Sequence, residues 1–505
     1  MSRVSTNTVS LAYAVEASLG VLPGTPDAPL WKRLEPNTIT AFGPTIATVS
    51  RNPISKDRQR KKGTITDLDS SVEFEADVTM DAVLDFLPGF VFAVFAGPEG
   101  FGAHDTNQVT AATGGATDAY TVSAGGALPA GRLIFARGFA IPANNGLKVV
   151  NTGSSATSLI VTTDLENETD PPENARIDVA GVVGASGDLQ INASGNLIST
   201  ALDFTTLDLT PGQFIWVGGT LEANRFAQDV SNGVNRGWAR VVSVEANLVV
   251  LDKKLTTYVA DNGSGKTIHL YFGRFLRNVP VDDDDFLEQS LHFEAAYPDL
   301  DDVGTPAYEY AIGNYCNQVS INLALADKAT MSFGFIGIDT LPPTTTRAED
   351  ADEALDPLQT VAFNTSADIA RLRIADTDEE GLTTYFKSLT ITLNNNVSPE
   401  KVLGVLGAAF MNIGNFEVDL EAQVLFTSPD IPAAIRNNET LSMDFSMRND
   451  DGALYFDIPA MTIGGGDKEF PENETVLINT PGMAFEDPLL GTSLGISFLP
   501  YVPTA

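Results

Sequence analysis

The chain is poor in cysteine, histidine and positive charge. A single cysteine, Cys316, excludes an internal disulfide framework. The plain expectation for it is a buried small side chain in a protein folded in a reducing cytoplasm. Three histidines, His104, His269 and His292, are scattered without a motif. There is no GxSxG, P-loop, HExxH or Cys/His metal spacing, so the sequence reads as a non-enzyme without cofactor or metal. No apolar run approaches the roughly 18 residues of a membrane span. The first residues, MSRVSTNTVSLAYAVEASLG, lack the charged and apolar regions of a secretory signal. Only 30 basic residues stand against 66 acidic ones, a net charge of −36. Such a surface repels nucleic acid and non-specific partners alike. Helical periodicity is scarce, while 43 glycines and 28 prolines point to short strands and many turns.

The clearest pattern is GTITDLDSSVEFEADVTMDAVLDFL, Gly63 to Leu87. Val72, Phe74, Ala76 and Val78 alternate with Glu73, Glu75 and Asp77, which predicts a strand with one buried and one acidic face. Carboxylates in a row on one face demand water. A short helix follows, with Thr79 as N-cap, Asp81 in its first turn, and Pro88–Gly89 expected to end it. Upstream, RNPISKDRQRKKG carries Arg51, Lys56, Arg58, Arg60, Lys61 and Lys62 without apolar periodicity. It reads as a long exposed loop or hairpin tip that docks on an acidic neighbour. It lacks the aromatics that single-stranded nucleic acid would require.

The same grammar returns late in the chain. In NFEVDLEAQV, Phe416, Val418, Leu420, Ala422 and Val424 alternate with Glu417, Asp419, Glu421 and Gln423. Strand, long loop, acidic strand, short helix and alternating hairpin occur in that order twice. The hairpins are 317–338, with a turn at Asp327–Lys328, and 439–461, with a turn at Asn449–Gly452. The second long loop, Asn395–Asn415, is apolar where the first is basic. Between helix and hairpin of the first copy lie two similarly worded segments, Tyr120–Thr162 and Leu202–Leu255. They read as small β modules inserted at an exposed loop, with Trp216 and Trp238 filling their cores.

At 505 residues, two to four domains are expected. The fold class is all-β with short helices: duplicated β-sandwich domains plus inserted β modules. The first sandwich takes 1–100 with 273–342, including an N-terminal arm, 1–34. The modules take 101–190 and 191–272. A Pro-bounded linker takes 343–360, and the second sandwich 361–505. The acidic runs Asp282–Asp285 and Asp299, Asp301, Asp302 lack the spacing of a calcium loop and read as solvated. The carboxylate pairs on the acidic strands are too open for glycoside hydrolysis, which needs one acid in an apolar pocket.

SLAYAVEASLGVLPGTPDAPLWKRL, the Thr48–Leu87 stretch, YAIGNYCNQVSINLALADKATMSFGFIGID, KSLTITLNNNVSPEKVLGVLG and GNFEVDLEAQVLF together resemble the major tail tube proteins of bacteriophages with long, non-contractile tails (siphoviruses). The resemblance covers about two thirds of the chain. It implies two packed antiparallel sheets flanked by a helix, six such domains per ring, and inner sheets joined into one β-barrel lumen. Rings would stack through a hairpin loop and the N-terminal arm, and DNA would pass down the bore during ejection. On that basis Glu73, Glu75, Asp77, Glu417, Asp419 and Glu421 face the lumen, and Arg51–Lys62 bridges rings. With two domains in one chain, three chains complete a ring of pseudo-six-fold symmetry; a single domain built from both halves needs six. The implied partners are the chain itself, the tape measure protein, the tail terminator and passing genomic DNA, with no membrane. The implied place is the virion tail, after assembly in the host bacterial cytoplasm. Two other readings stay open: a decoration or glycan-binding β protein of the virion, and a tail terminator ring that does not polymerise.

Overall fold

The computed structural model describes residues 4–503 except 25–28, 55, 57, 104, 106, 230–232, 255–257, 299–305, 349–353, 358–359, 376–380, 384 and 474. It is mostly β, with several antiparallel sheets. The body elements in chain order are β1 (Ser10–Val15), β2 (Lys32–Leu34), β3 (Thr38–Arg51), β4 (Lys61–Asp77) and helix α1 (Met80–Val91). Next come β5 (Leu291–Tyr297), β6 (Ala307–Ala324), β7 (Thr330–Gly337) and β8 (Asp339–Thr344). Then follow β9 (Ile369–Ala375), β10 (Phe386–Asn394), β11 (Glu417–Leu425), helix α2 (Asp430–Asn437) and β12 (Leu441–Asn449). The last are β13 (Gly452–Ile463), β14 (Lys468–Glu469), β15 (Leu477–Ala484) and β16 (Gly495–Leu499).

One long antiparallel layer runs β3–β4–β7–β6–β10–β11–β15 and ends on the last residues of β13 with β14. Opposite it lie β1–β5–β6–β8 and β9–β12–β13–β16. Strands β6 and β13 belong to both layers: β6 gives its first half to the outer sheet and its second half to the long one, and β13 gives its last residues, Met461–Ile463, to the long one. Gly313, at φ 62°, lies on the outer-sheet side of this change in β6; a side chain there would meet Ile338 and Leu19 at 3.0 Å or less. The pairing scheme recurs. The strands β1, β3, β4, β5, β6, β7 and β8 are linked as β9, β10, β11, β12, β13, β15 and β16 are.

One apolar core fills the space between the layers along both halves. Period-two alternation places it: Val72, Phe74, Val319, Ile321, Leu393, Val418 and Leu420 are all buried. Phe74 meets Phe86 of α1 at 5.8 Å and Phe333 at 5.2 Å between ring centroids. Helix α1 starts as expected, with the Thr79 hydroxyl accepting from the Ala82 N–H. It does not stop at Pro88 but runs to Val91, capped by Phe92 in the left-handed region. Burial of Phe90 and Val91 offsets the lost backbone bond at Pro88. Leu325 lies beyond the strand end and is exposed, whereas Leu323 is buried.

Part of the N-terminal arm is tied into the body. Residues 10–15 form β1, paired with β5 on one side and β2 on the other. Glu16 then locks the following turn, accepting from the N–H groups of Gly20 and Gly313 and from the Ser290 hydroxyl. Burial alone would raise its carboxyl, but His292, Ser290 and the two N–H groups hold it below the usual range. Strand β8 reaches Thr344 and so carries Pro342 and Pro343, tolerated because β8 pairs on one side only.

The inserted segment leaves and returns at one point, where Ala96 and Phe275 exchange two backbone hydrogen bonds. Its strands build a 10-stranded and a 4-stranded sheet. Trp216 and Trp238 are buried but do not fill a module core. They pack edge to face against each other, and Trp238 does so against Tyr455 of β13, where the module covers the outer sheet of the second half. Charge holds the same junction. Asp457 meets Arg240 and Lys253 at 2.8 Å each, and Asp444 meets Arg371 at 2.6 Å and Arg373 at 2.8 Å. Burial pushes the Asp457 carboxyl up, but Lys253 and Arg240 outweigh it and hold the group below its ordinary range.

Two outcomes follow. Phe74→Ala should cost about 3–5 kcal/mol in denaturant unfolding, since four rings, Phe86, Phe293, Phe333 and Phe335, lose their packing partner. Asp457→Asn should cost about 3–5 kcal/mol by removing the buried carboxylate that both Arg240 and Lys253 meet. Because the native Asp457 carboxyl is depressed, its contribution is present above the unfolded value near ~3.9 and is lost as pH falls further. Protection of module amides from hydrogen exchange at pH 5 but not in acid below that range checks this.

Candidate functional site

From β4 to β11 the sheet face opposite the core is largely polar, and pair by pair the register shows why. Glu75, Ser332, Ser320, Thr392 and Asp419 stand in one row across β4, β7, β6, β10 and β11. Glu73, Gly334, Gln318, Asn394 and Glu417 form the next row, and Asp77, Thr330, Asn322, Thr390 and Glu421 the third. Partners in antiparallel register share a face, so both acidic strands look out from the same side of one layer. Glu73, Glu417, Asp419 and Glu421 are exposed and Glu75 is half-buried. Asp77 differs: Lys328 lies 2.7 Å away and neutralises it.

Carboxylates within a strand stand about 7 Å apart, inside the Debye length of ~8 Å. The two acidic ridges are separated by roughly 19 Å, four strand spacings, and are screened from each other. Hydroxyls and amides fill the interval, with Ser320 hydrogen-bonded to Thr392 at 3.3 Å and Thr390 donating to Asn322 at 3.3 Å. Sequence reasoning named the acids but not this neutral lining. Its signal was present in the alternate polar positions of NQVSINLA and SLTITLN. Glu469 of β14 was also missed; it accepts from Asn479 at 2.6 Å and extends the acidic face to the end of the layer.

The basic stretch is the end of a two-stranded ribbon. Arg51 belongs to β3, Lys61 and Lys62 to β4, and Lys56, Arg58 and Arg60 to the connection. All six are exposed. From Thr45 outward both faces of the ribbon are largely open to solvent, with Ile46, Val49, Ile54 and Ile65 uncovered. The 395–415 loop lies at the same end of the layer. It forms a small hairpin, Ser398–Glu400 with Phe410–Asn412. Its Lys401 reaches Asp67 and Asp69 at the ribbon base, at 2.6 Å each, a contact with no sequence signal.

Among the described residues the long layer has two open edges. β3 pairs with β4 alone and β14 with β15 alone. The equivalent edges inside the chain are satisfied, because Gln318–Ala324 of β6 pairs with Ser388–Asn394 of β10.

A phage tail tube protein family profile matches residues 6–476. The chain belongs to the phage tail tube protein family. No curated protein sequence matches it. This tail tube protein is thus a structural component of a virion tail, a family that assembles with itself into a tube. Among the described residues no group of three or more His, Cys, Asp or Glu is placed to hold a metal. Asp299, Asp301, Asp302 and His104 lie outside the described residues. Burial raises the Cys316 thiol well above its ordinary value, so it is inert. His269 is lowered to about 4 by burial and stays neutral near pH 6. No helix among the described residues is long and apolar enough to cross a membrane.

Since the acidic side chains make no core contact, Glu73→Lys and Glu417→Lys should each change unfolding free energy by no more than about 0.5 kcal/mol. A larger loss in chemical denaturation would give these strands a structural task instead.

Proposed function

We propose that three copies of this chain close into a ring, and that rings stack into the tube of a long, non-contractile siphovirus tail. The polar face of the long layer lines the bore through which genome DNA is ejected. The supporting observation is the junction of β6 with β10. It joins the first half of the chain to the second, residue for residue, from Gln318↔Asn394 to Ala324↔Ser388. The pairing scheme makes β13–β14 the counterpart of the second half of β6, and β3 the counterpart of β10. The open edge of β13–β14 in one chain therefore takes β3 of the next, and the two halves act as two tube domains.

Closure removes both open edges, which would otherwise aggregate. Three chains make a barrel of about 24 strands, roughly 45–50 Å across at the backbone, wide enough for a duplex. Acidic ridges repel phosphate, and the hydroxyl and amide strips between them carry no cation to hold it, so DNA slides without sticking. The reading is non-catalytic. The tape measure protein and tail terminator are the further partners it implies. The buried free thiol suits folding in the reducing cytoplasm of the bacterial host before incorporation into the virion. Nothing favours a glycan-binding role, because Trp216 and Trp238 face the body and not solvent.

Native mass spectrometry of rings released from tubes should give three chains; six chains would contradict the junction argument. Replacing Arg51, Lys56, Arg58, Arg60, Lys61 and Lys62 by serine should leave folded soluble protein and abolish tubes in negative stain. Normal tubes from that variant would remove the ribbon from the assembly account.

A further inference from the structure

The two long loops share one end of the layer but not their chemistry. The ribbon carries six exposed cations. The 395–415 loop has one, Lys401, already held by Asp67 and Asp69. It presents instead Val402, Leu403, Val405, Leu406 and Phe410, with Leu403 wholly exposed.

The opposite end of the same layer differs between halves in the same way. Beyond the first half, at the Thr38 and Asp77 ends of β3 and β4, opens a cleft of about 970 Å³ between the β2 segment, α1 and the inserted module. Its carboxylates include Glu35, Asp77, Asp81, Asp85, Asp105 and Glu173. Asp85 and Asp105 each meet one cation, Lys32 and Arg176. Asp81 accepts from the Thr360 hydroxyl. Glu35 and Glu173 are exposed, with no partner among the described residues. The arginines on the module side are engaged: Arg176 and Arg137 with Asp178, Arg274 over the rings of Phe95 and Phe498. Beyond the second half large apolar side chains are uncovered, with Lys468 and Glu469 exposed beside them. Leu325, Tyr385 and Phe470 are 66%, 59% and 76% exposed. They are spread along one end of the layer: Leu325 and Tyr385 end adjacent strands, since Ala324 pairs with Ser388, and the Leu425 N–H of the next strand bonds the Tyr385 carbonyl. Phe470 follows β14, whose Glu469 pairs with Leu477, itself opposite Leu425.

We infer that stacking is sorted by chemistry: the basic ribbon of one ring seats in the carboxylate cleft of a chain in the next ring, and the apolar 395–415 loop seats on the Leu325–Tyr385–Phe470 patch. The inference rests on the tube reading above. A head-to-tail stack needs two unlike patches at opposite ends of one subunit, and each half of the chain carries such a pair. The crossed arrangement would set cations on an apolar surface without counter-charges and leave the apolar loop in a wet acidic cleft. Rings therefore dock in registers that match half to half, three per turn and not six. The ribbon contact weakens with salt, and the apolar contact does not.

Cysteine pairs test this, because Cys316 is buried and silent. Tubes carrying Leu403→Cys with Phe470→Cys, or Arg60→Cys with Glu35→Cys, should give ladders of linked chains on mild oxidation. The crossed pairs, Leu403→Cys with Glu35→Cys and Arg60→Cys with Phe470→Cys, should give at least tenfold less. Intact tubes in which crossed pairs link as well as matched ones, or matched pairs fail to link, overturn the sorting alone. Failure of the unsubstituted chain to form tubes overturns the tube reading and the sorting together.

Discussion

Backbone hydrogen bonding at two strand edges governs the rest of the molecule. A sheet edge offers a row of N–H and C=O groups that water satisfies poorly once neighbouring faces are buried, and that invite pairing with another chain. This protein resolves most of its edges internally. β6 meets β10 across the middle of the long layer, and the outer sheets are covered by the N-terminal segment in one half and by the inserted module in the other. In the long layer, among the described residues, only β3 and β13–β14 stay open. They are complementary in position, because each is the counterpart of a strand already paired inside the chain. On the proposed reading a solitary subunit is an arc of barrel, completed by further copies of itself.

The faces of that arc follow from period-two alternation. One side buries phenylalanine, leucine, isoleucine and valine against the outer sheets and α1. The other side shows water nothing but hydroxyls, amides and carboxylates between β4 and β11. An all-acidic face would strain the sheet by repulsion, and a basic face would grip nucleic acid. Two separated acidic ridges with neutral strips between them avoid both.

Much of this was legible in the sequence because it depends on local pattern. The acidic strands, their faces and the Thr79 cap come from spacing alone, but spacing matches the repeated hairpins out of step: β12–β13 is the counterpart of β5–β6, and β6–β7 that of β13–β15. What was not legible depends on distant packing. Pro88 should end α1 by propensity, yet Phe90 and Val91 gain enough burial to carry the helix past it. Residues 10–15 look like a loose arm until β5 supplies a pairing partner. Trp216 and Trp238 look like module cores until Tyr455, more than two hundred residues away, meets them. Lys401 binding Asp67 and Asp69, and the open edge of β14, have no local signature at all. The ring count sits between these extremes: the duplication is local, but only the β6–β10 register shows how halves join.

The central claim is that the polar face of this layer is the inner wall of a closed barrel. A helical reconstruction of assembled tubes by cryo-electron microscopy tests it most directly. The account predicts a continuous barrel of about 24 strands with Glu73, Glu75, Glu417 and Asp419 turned into the bore and β3 hydrogen-bonded to β13–β14 of the adjacent chain. Those four side chains on the outer wall, or β3 left unpaired between subunits, would contradict it.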